Sequence, residues 1–215
     1  MILGFLVQSN LHCGDPVKQD TAEIFYKSQL LQAFQAISLF LLFNQHNLFY
    51  IFLDFEYVVF NPRKFDIVER NAKNEISTIY WHTVPETVTF LKQIQGLYPQ
   101  CVPVIVATDA ARTFSVEILE KQIRLAGLNS YILLHAAAPA ASVFALNFKY
   151  QSIAKLLNKN TSSQAFYLTS TLINPADFPK QVVTFFIQPP YRLLPRRPQL
   201  KERAPFSFKD LPVVA

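Results

Sequence analysis

Residues 48–58 read Leu-Phe-Tyr-Ile-Phe-Leu-Asp-Phe-Glu-Tyr-Val, an apolar run that leads into two carboxylates, Asp54 and Glu56. The run Leu48–Leu53 has the length of a strand and shows no alternation of polar and apolar residues. A continuous apolar run of this length is typical of a strand that is buried on both faces in a parallel sheet. We therefore predict a central strand with Asp54 at its carboxyl end.

Short apolar runs and helical segments alternate along the rest of the chain. Four further strands are predicted, at Val102–Ala107, Tyr131–Leu134, Ala165–Leu168 and Val182–Ile187. Helices are predicted at Ser115–Ala126, ending at Gly127, and at Tyr150–Asn158. This alternation predicts an α/β fold with a doubly wound, Rossmann-like parallel sheet and helices on both faces.

A β-hairpin and a helix are predicted between the first two strands. Lys64–Arg70 and Glu75–Trp81 alternate in polarity and flank the polar Asn71–Asn74, a pattern that predicts a hairpin protruding from the sheet. Thr83–Glu86 has the spacing of a capping box with a proline in the first turn. A helix is therefore predicted to begin there and to end at Gly96.

The N-terminal region, residues 1–47, is predicted to be a helical extension packed on an α/β domain of residues 48–188. Residues 8–20 are polar and turn-like, and a helix is predicted from Thr21 to Phe43. Its apolar second half is shorter than the roughly 20 residues that span a bilayer, and glutamine recurs at every third position from 29 to 35. An amphipathic helix packed on the domain is favoured, with membrane contact as the alternative.

Composition excludes several kinds of site. The chain has 4 glycines in 215 residues, and neither G-x-G-x-x-G nor G-x-x-x-x-G-K-[ST] occurs, so the common glycine-rich phosphate loops are absent. A cysteine phosphatase needs C-x-x-x-x-x-R, but Cys13 leads to Gln19 and Cys101 leads to Ala107. The four histidines lack zinc-ligand spacing, and no G-x-S-x-G motif supports a serine hydrolase.

Positive charge is concentrated in a proline-rich C-terminal tail, residues 189–215. The tail holds six basic and two acidic residues, a net charge of +4, and leaves +1 for residues 1–188. No nucleic-acid interface is therefore expected on the folded body. The tail is predicted to be a solvated linker, with contact to an anionic membrane and an SH3-type ligand at Arg192–Pro198 as alternatives.

Targeting signals are weak. Met1–Val7 is apolar, but no basic region precedes it and no small-residue cleavage pattern follows it, so neither a signal peptide nor a transmembrane span is expected. Two distant cysteines favour a reducing compartment. Phe, Asn, Lys and Gln are abundant, as in AT-rich bacterial genomes. The cysteine usage and the weak targeting signals favour a cytoplasmic protein, and the composition leaves room for a bacterial effector secreted into a host cell.

Polar side chains follow three of the predicted strands at the point where each strand ends. They are Asp54 with Glu56, Thr108 with Asp109, and Thr169 with Ser170. In open parallel sheets the ligand crevice lies outside the carboxyl ends of the strands. Lys149 comes just before the helix that precedes the fourth strand. The sequence thus places acidic, hydroxyl and amino groups near one edge of the sheet.

The order and spacing of these residues resemble the four motifs of the haloacid dehalogenase-like (HAD-like) hydrolases. The family's first motif is a strand ending in D-x-D-x-[TV], similar to Asp54–Val58, and the second is a strand ending in Thr or Ser, similar to Val104–Thr108. The third is a lysine at the start of a helix, similar to Lys149. The family's proline-initiated helix resembles Val84–Ile94, and the resemblance covers roughly Leu48 to Gln188.

The resemblance implies a phosphomonoester phosphatase that acts through an aspartyl-phosphate intermediate. Asp54 is then the nucleophile, and Glu56 is the general acid and base. Thr108 and Lys149 would hold the phosphate oxygens and offset their charge. A structural role is the alternative for each residue, such as Asp54 capping the loop after its strand.

The implied substrate is a phosphorylated protein, with phosphotyrosine favoured. The predicted hairpin resembles the flap of family members that lack a large cap domain, and an open site suits a bulky substrate. Asp109 and Arg112 lie near the second motif and are candidates for substrate binding. Capping of the next helix and a surface ion pair are their respective structural alternatives.

The fourth motif departs from the family, which ends this strand in acidic residues. Mg²⁺, the implied cofactor, would be held by Asp54 and the backbone carbonyl of Glu56, with Thr169, Ser170 or Asn174 in place of the missing acids. Because Mg²⁺ is commonly held by one or two carboxylates, a weakened metal site is expected. Two hypotheses follow: a phosphatase, or a catalytically inactive HAD-like binding module.

Overall fold

The computed structural model describes residues 16–44, 47–70, 76–108, 115–135, 142–158 and 164–190. Within these ranges the chain forms four helices and seven strands. The helices are α1 (Pro16–Phe43), α2 (Pro85–Leu97), α3 (Val116–Leu125) and α4 (Ser142–Asn158). The strands are β1 (Phe49–Asp54), β2 (Phe60–Arg70), β3 (Ile76–Thr83), β4 (Cys101–Ala107), β5 (Ile132–His135), β6 (Gln164–Thr169) and β7 (Val182–Phe186).

Five of the strands form a parallel sheet in the order β5-β4-β1-β6-β7. β1 is central and pairs with β4 on one side and with β6 on the other. The chain builds outward from β1 to β5 and then crosses back to β6 and β7, so the order reverses between β1 and β6. The predicted α/β fold with a parallel sheet is confirmed. Such a reversal is where open α/β sheets form their ligand crevice.

Helices cover both faces of this sheet. Ile51 and Leu53 of β1 pack with α1, α2 and α3 on one face, whereas Phe52 packs with Ile153 and Leu157 of α4 on the other. All six residues of β1 are buried. Because successive side chains of a strand point to opposite faces, a strand covered on both sides has no solvent-facing position. This explains the continuous apolar run that predicted β1.

α1 begins earlier than the sequence predicted. Its first residue is Pro16, so the prediction of a turn over residues 8–20 is wrong from residue 16 onward. Proline is common at the first position of a helix, because its fixed φ suits the helix and its missing N–H has no intrahelical partner there. Pro16 therefore starts the helix instead of belonging to the preceding turn.

The outer face of α1 also differs from the prediction. Leu30, Ile37 and Leu41 are buried against the sheet, as expected for the inner face. Leu39 and Phe43, however, are exposed, so the prediction of an amphipathic helix is wrong: apolar side chains occur all around α1. Among the described helices none is both long and apolar enough to cross a membrane.

α2 lacks the predicted capping box. Its first residue is Pro85, as the proline signal indicated, but the N-cap is Val84 and no side chain caps the helix. Thr83 is unavailable as a cap because it ends β3, where it pairs with Phe60. The helix also runs past Gly96 to Leu97, so Gly96 does not terminate it.

α4 begins eight residues before its predicted start. The prediction was Tyr150–Asn158, and the helix observed is Ser142–Asn158. No glycine or proline interrupts residues 142–158, so nothing in this segment stops the helix from extending backward. Lys149 therefore lies in the middle of a helix and not at its start.

The predicted hairpin is present as the antiparallel pair β2 and β3. β2 begins four residues before the predicted Lys64, and β3 ends two residues after the predicted Trp81. Its base pairs Phe60 with Thr83 and Phe65 with Trp81. The ring of Phe55 anchors this base, stacking on Phe60 at 4.5 Å between centroids and meeting Trp81 edge-on at 5.4 Å. The predicted turn at residues 71–74 lies outside the described residues.

Two glycines provide a matched test of the helix ends. Gly127 follows α3 with φ +77°, where a Cβ would also lie 2.6 Å from the Nζ of Lys92. Gly127→Ala is expected to lower the free energy of unfolding by about 1–2 kcal/mol, the cost of a left-handed conformation with a side chain. Gly96→Ala, inside α2 with open space around it, should instead raise it by roughly 0.5–1 kcal/mol. Urea unfolding measures both changes. Equal effects of the two substitutions would contradict a left-handed conformation at Gly127 and a helical position for Gly96.

Candidate functional site

Asp54 lies at the carboxyl end of β1, at the reversal of strand order, and its carboxylate is 1% exposed. One oxygen, Oδ1, accepts hydrogen bonds from the ammonium of Lys149 at 2.8 Å and from the hydroxyl of Tyr167 at 2.6 Å. The Lys149 side chain is 3% exposed, so the two charges form a buried ion pair. A buried charge of this kind persists only when it is paired and hydrogen-bonded.

The second oxygen of Asp54, Oδ2, also accepts hydrogen bonds from several protein groups. It accepts hydrogen bonds from the hydroxyl of Thr169 at 2.8 Å and from the backbone N–H of Ser170 at 2.9 Å. The Ser170 hydroxyl lies 3.3 Å from the same oxygen. A carboxylate offers about four acceptor positions, and five donors surround this one. The acceptor capacity of Asp54 is therefore filled by the protein itself.

The hydroxyl of Ser170 also approaches the turn that carries Glu56. Its oxygen is 3.2 Å from the backbone oxygen of Glu56 and 3.3 Å from Oδ2 of Asp54. These two oxygens are the ones that the HAD-like resemblance assigns to the metal. A serine hydroxyl thus lies between them, where it can donate its single proton to one of the two.

Lys149 reaches Asp54 from the middle of α4, on the opposite side of the sheet from α1. Its long aliphatic stem passes through the buried layer while the ammonium meets polar groups at the sheet edge. The Nζ atom also donates to the hydroxyl of Thr171 at 3.3 Å. Both partners of the ammonium thus lie at or just after the carboxyl ends of the adjacent strands β1 and β6.

Tyr167 belongs to the site but was missed by the sequence interpretation. Burial and the negative charge of Asp54 raise the pKa of Tyr167 well above its usual range, so the phenol keeps its proton and donates it to Asp54. One signal was available: side chains two apart on a strand share a face. Tyr167 therefore points to the same side as Thr169, and a buried tyrosine hydroxyl usually needs a partner.

The turn between β1 and the hairpin is a single wide turn, Phe55–Val59, that carries the buried Glu56. Tyr57 adopts φ +63° within it and is the one residue other than glycine with positive φ in the described part of the chain. The hydroxyl of Tyr26 on α1 donates to the backbone oxygen of Tyr57. Positive φ costs energy for a residue with a side chain, and α1 helps to hold the turn in this conformation.

The remaining predicted site residues are placed as follows. Thr108 is buried directly after β4, next to the end of β1. Asn174 is exposed and caps the short turn Pro175–Asp177: its amide oxygen accepts from the Ala176 N–H at 3.2 Å and its amide nitrogen lies 3.4 Å from Asp177. The side chain of Asn174 is therefore engaged away from Asp54. Asp109 and Arg112 lie outside the described residues.

The donor set does not fit Mg²⁺ as it is arranged. That ion needs a near-octahedral shell of oxygens at about 2.0–2.1 Å, but the oxygens of Asp54 already accept hydrogen bonds and the Ser170 hydroxyl lies between the two expected ligands. No group of three or more His, Cys, Asp and Glu side chains in the described ranges could hold a metal ion. In this arrangement the hydroxyls of Thr169 and Ser170 both lie within hydrogen-bond distance of Oδ2 of Asp54.

No family model matches the chain, and no curated protein matches it.

Proposed function

We propose that this chain is a HAD-like protein whose phosphatase centre has become a structural hydrogen-bond network, and that it acts as a catalytically inactive binding module. One observation carries the proposal: the Ser170 hydroxyl lies between the Asp54 carboxylate and the Glu56 carbonyl, 3.3 and 3.2 Å from them. In the HAD-like scheme a metal ion, held by an acidic residue at this point of the chain, would lie between those oxygens.

The contacts of Asp54 argue against its acting as a nucleophile. Attack on phosphorus requires an unshared electron pair on a carboxylate oxygen, and donors of the protein fill the acceptor positions of both oxygens. Freeing one position means breaking a hydrogen bond to a charged group, which costs roughly 1.5–3 kcal/mol. The donors are themselves buried, so water does not replace the lost partner.

The positive charge of Lys149 is already engaged at this centre. Its ammonium lies 2.8 Å from Oδ1 of Asp54 and donates to the hydroxyl of Thr171 at 3.3 Å. A phosphate bound at the end of β1 would therefore compete with the Asp54 carboxylate for this ammonium.

The HAD-like assignment itself is supported by the arrangement of elements around Asp54. Asp54 ends the central strand, the antiparallel pair β2 and β3 follows at once, and the order of the sheet reverses at β1. In the resemblance the hairpin is the flap of a member without a large cap. Lys149 reaches Asp54 as the third motif requires, although from the middle of its helix.

A phosphatase is the second candidate, favoured by the direct contact between Asp54 and Lys149 and by the burial of Glu56 and Thr108 at the same sheet edge. In this scheme Asp54 attacks phosphorus and releases the leaving oxygen, which Glu56 protonates. Glu56 then removes a proton from the water that hydrolyses the aspartyl-phosphate. The substrate would be a phosphorylated protein, with phosphotyrosine favoured.

One assay separates the two candidates. The full chain and Asp54→Asn are given aryl phosphate and a phosphotyrosine peptide, each with and without Mg²⁺. We expect no turnover by either protein under any of the four conditions. Turnover by the unmodified chain that Asp54→Asn abolishes would overturn the proposal and establish the phosphatase. Equal turnover by both proteins would mean that Asp54 is not the nucleophile responsible for the turnover.

Two further predictions from the sequence concern the C-terminal tail and the location of the protein. The tail, residues 189–215, stays predicted as a solvated linker, with contact to an anionic membrane through its six basic residues as the alternative; most of it lies outside the described residues. A cytoplasmic location, or secretion into a host cell as a bacterial effector, stays a prediction from composition.

A further inference from the structure

The outer face of α1, the side of the helix turned away from the sheet, is apolar. Six large apolar side chains of this helix are exposed: Ile24, Phe25, Leu31, Leu39, Leu42 and Phe43. At 3.6 residues per turn they lie within an arc of about 120° around the helix axis, opposite the buried Leu30, Ile37 and Leu41. Residues 28–43 contain no charged residue. The six side chains therefore share one uncharged face.

The outer face of α1 is large enough to be a binding surface. From Ile24 to Phe43 the helix is about 30 Å long, and a helix is about 10 Å wide, so the face covers roughly 300 Å². A groove between α1 and α2, of about 850 Å³, adjoins this face and is lined by Leu31, Leu42 and Phe90 among others. Exposed apolar patches of this size are often sites that bind a protein or a membrane.

The C-terminal tail leaves the folded body beside α1. The backbone N–H of Gln188 donates to the side-chain oxygen of Gln29 at 2.9 Å, which joins the residues after β7 to this helix. Arg192, the first basic residue of the tail, follows four positions later, so the covalent chain holds it within about 14 Å of Gln188. The tail carries six basic and two acidic residues, a net charge of +4. Positive charge is therefore tethered close to the outer face of α1.

An apolar helix face with positive charge beside it matches the chemistry of an anionic lipid surface. A helix that lies on a membrane binds through its apolar area and through attraction of basic residues to anionic lipids. Residues 28–43 supply the apolar area without any charge, and the tail supplies the charge. A partner protein would need an apolar strip and an acidic surface next to it, whereas an anionic bilayer offers both everywhere.

We propose that the outer face of α1 binds the surface of an anionic membrane, with the basic residues of the tail at the lipid head groups. The helix would lie flat on the bilayer, because its other face is packed on the sheet. A solvated tail can supply the attraction, since charges act on one another through water over about 8 Å at physiological salt. The proposal does not depend on the chemistry at Asp54.

Flotation of the full chain with lipid vesicles tests the proposal. We expect binding to phosphatidylcholine vesicles that contain phosphatidylserine, and much weaker binding to phosphatidylcholine alone. Leu39→Glu and Phe43→Glu should each weaken binding about tenfold or more, because a charge replaces a buried apolar side chain. These side chains are 59% and 81% exposed, so the fold should tolerate both changes. Leu125→Glu, at a 63% exposed position on α3, makes the same change in net charge and should bind normally.

The contribution of the tail is tested in the same assay. Arg196→Gln with Arg197→Gln should weaken binding to the phosphatidylserine vesicles by roughly five- to 25-fold, since each basic residue near an anionic surface contributes about fivefold. Arg124→Gln with Lys155→Gln removes two exposed positive charges from the folded body instead and should have little effect. No binding to these vesicles would overturn the proposal and leave the face to a partner protein. Binding that survives both α1 substitutions would overturn the role of α1.

A fluorophore on α1 tests whether the face enters the lipid. In a Cys13→Ser background, Leu39→Cys is labelled with a dye whose emission shifts to the blue in an apolar environment. Burial raises the pKa of Cys101 to about 12, so this thiol should stay unlabelled. We expect a blue shift when phosphatidylserine vesicles are added. Gln151→Cys, an exposed position of α4 on the opposite face of the sheet, should show none. Equal shifts at both positions, or no shift at Leu39→Cys, would contradict insertion of this face.

Discussion

Lys149→Met is expected to lower the free energy of unfolding by about 3–5 kcal/mol, a large part of the stability of an ordinary domain. The substitution keeps most of the aliphatic stem but removes the ammonium that lies 2.8 Å from Asp54. The carboxylate then stays buried without its cation, and only neutral donors remain around it. Unfolding by urea, followed by circular dichroism, measures the loss.

Lys155→Met is the matched control, since Lys155 is an exposed residue of the same helix. It removes the same charge from α4 and should change the free energy of unfolding by no more than about 0.5 kcal/mol. A second variant, Asp54→Asn combined with Lys149→Met, removes both charges. It should be more stable than Lys149→Met alone, because the uncompensated carboxylate is gone. A small effect of Lys149→Met on the free energy of unfolding would contradict a buried ion pair between Lys149 and Asp54.

The stability of Lys149→Met also bears on the proposed function. Residues kept for catalysis often reduce stability, and their replacement is then neutral or stabilising. A structural centre behaves in the opposite way, because its members satisfy one another. Strong destabilisation by Lys149→Met, together with the absence of turnover, would be the combination expected of a former active site that now joins β1, β6 and α4.

The sequence predicted the centre of the fold well because one strong physical constraint acts there. A strand covered by helices on both faces must be apolar at every position, so β1 and its last residue, Asp54, could be recognised without any partner. β4 and α3 were found nearly at their observed bounds for similar local reasons, including Gly127 after α3.

The network around Asp54 could not be predicted in the same way. Its donors are 95 to 116 residues away along the chain. Tyr167, Thr169 and Ser170 lie in or directly after β6 and meet Asp54 because β6 pairs with β1, whereas Lys149 reaches it from α4. Local sequence patterns specify neither the pairing of β6 with β1 nor its register. The sequence therefore showed that acids were missing after β6, but not that the hydroxyls of Thr169 and Ser170 would turn toward Asp54.

Ser170→Asp is expected to make the stability of the folded chain depend on Mg²⁺. The new carboxylate would lie beside Asp54 and the Glu56 carbonyl, where the Ser170 hydroxyl now lies. Without metal the variant should be less stable than the unmodified chain, because two buried carboxylates repel each other. With Mg²⁺ at about 100 times the dissociation constant, binding to the folded state should raise the free energy of unfolding by roughly 2.7 kcal/mol.

Thermal unfolding with and without Mg²⁺ measures this difference, which corresponds to about 5–10 °C for a domain of this size. The unmodified chain should unfold at the same temperature in both conditions. Leu172→Asp adds a carboxylate at an exposed position two residues further on and should show no response to Mg²⁺. If the unmodified chain is stabilised by Mg²⁺ as much as Ser170→Asp, the Ser170 hydroxyl does not prevent metal binding, and the inactive-module proposal loses its main support. Stabilisation confined to Ser170→Asp would locate the loss of function at a single side chain.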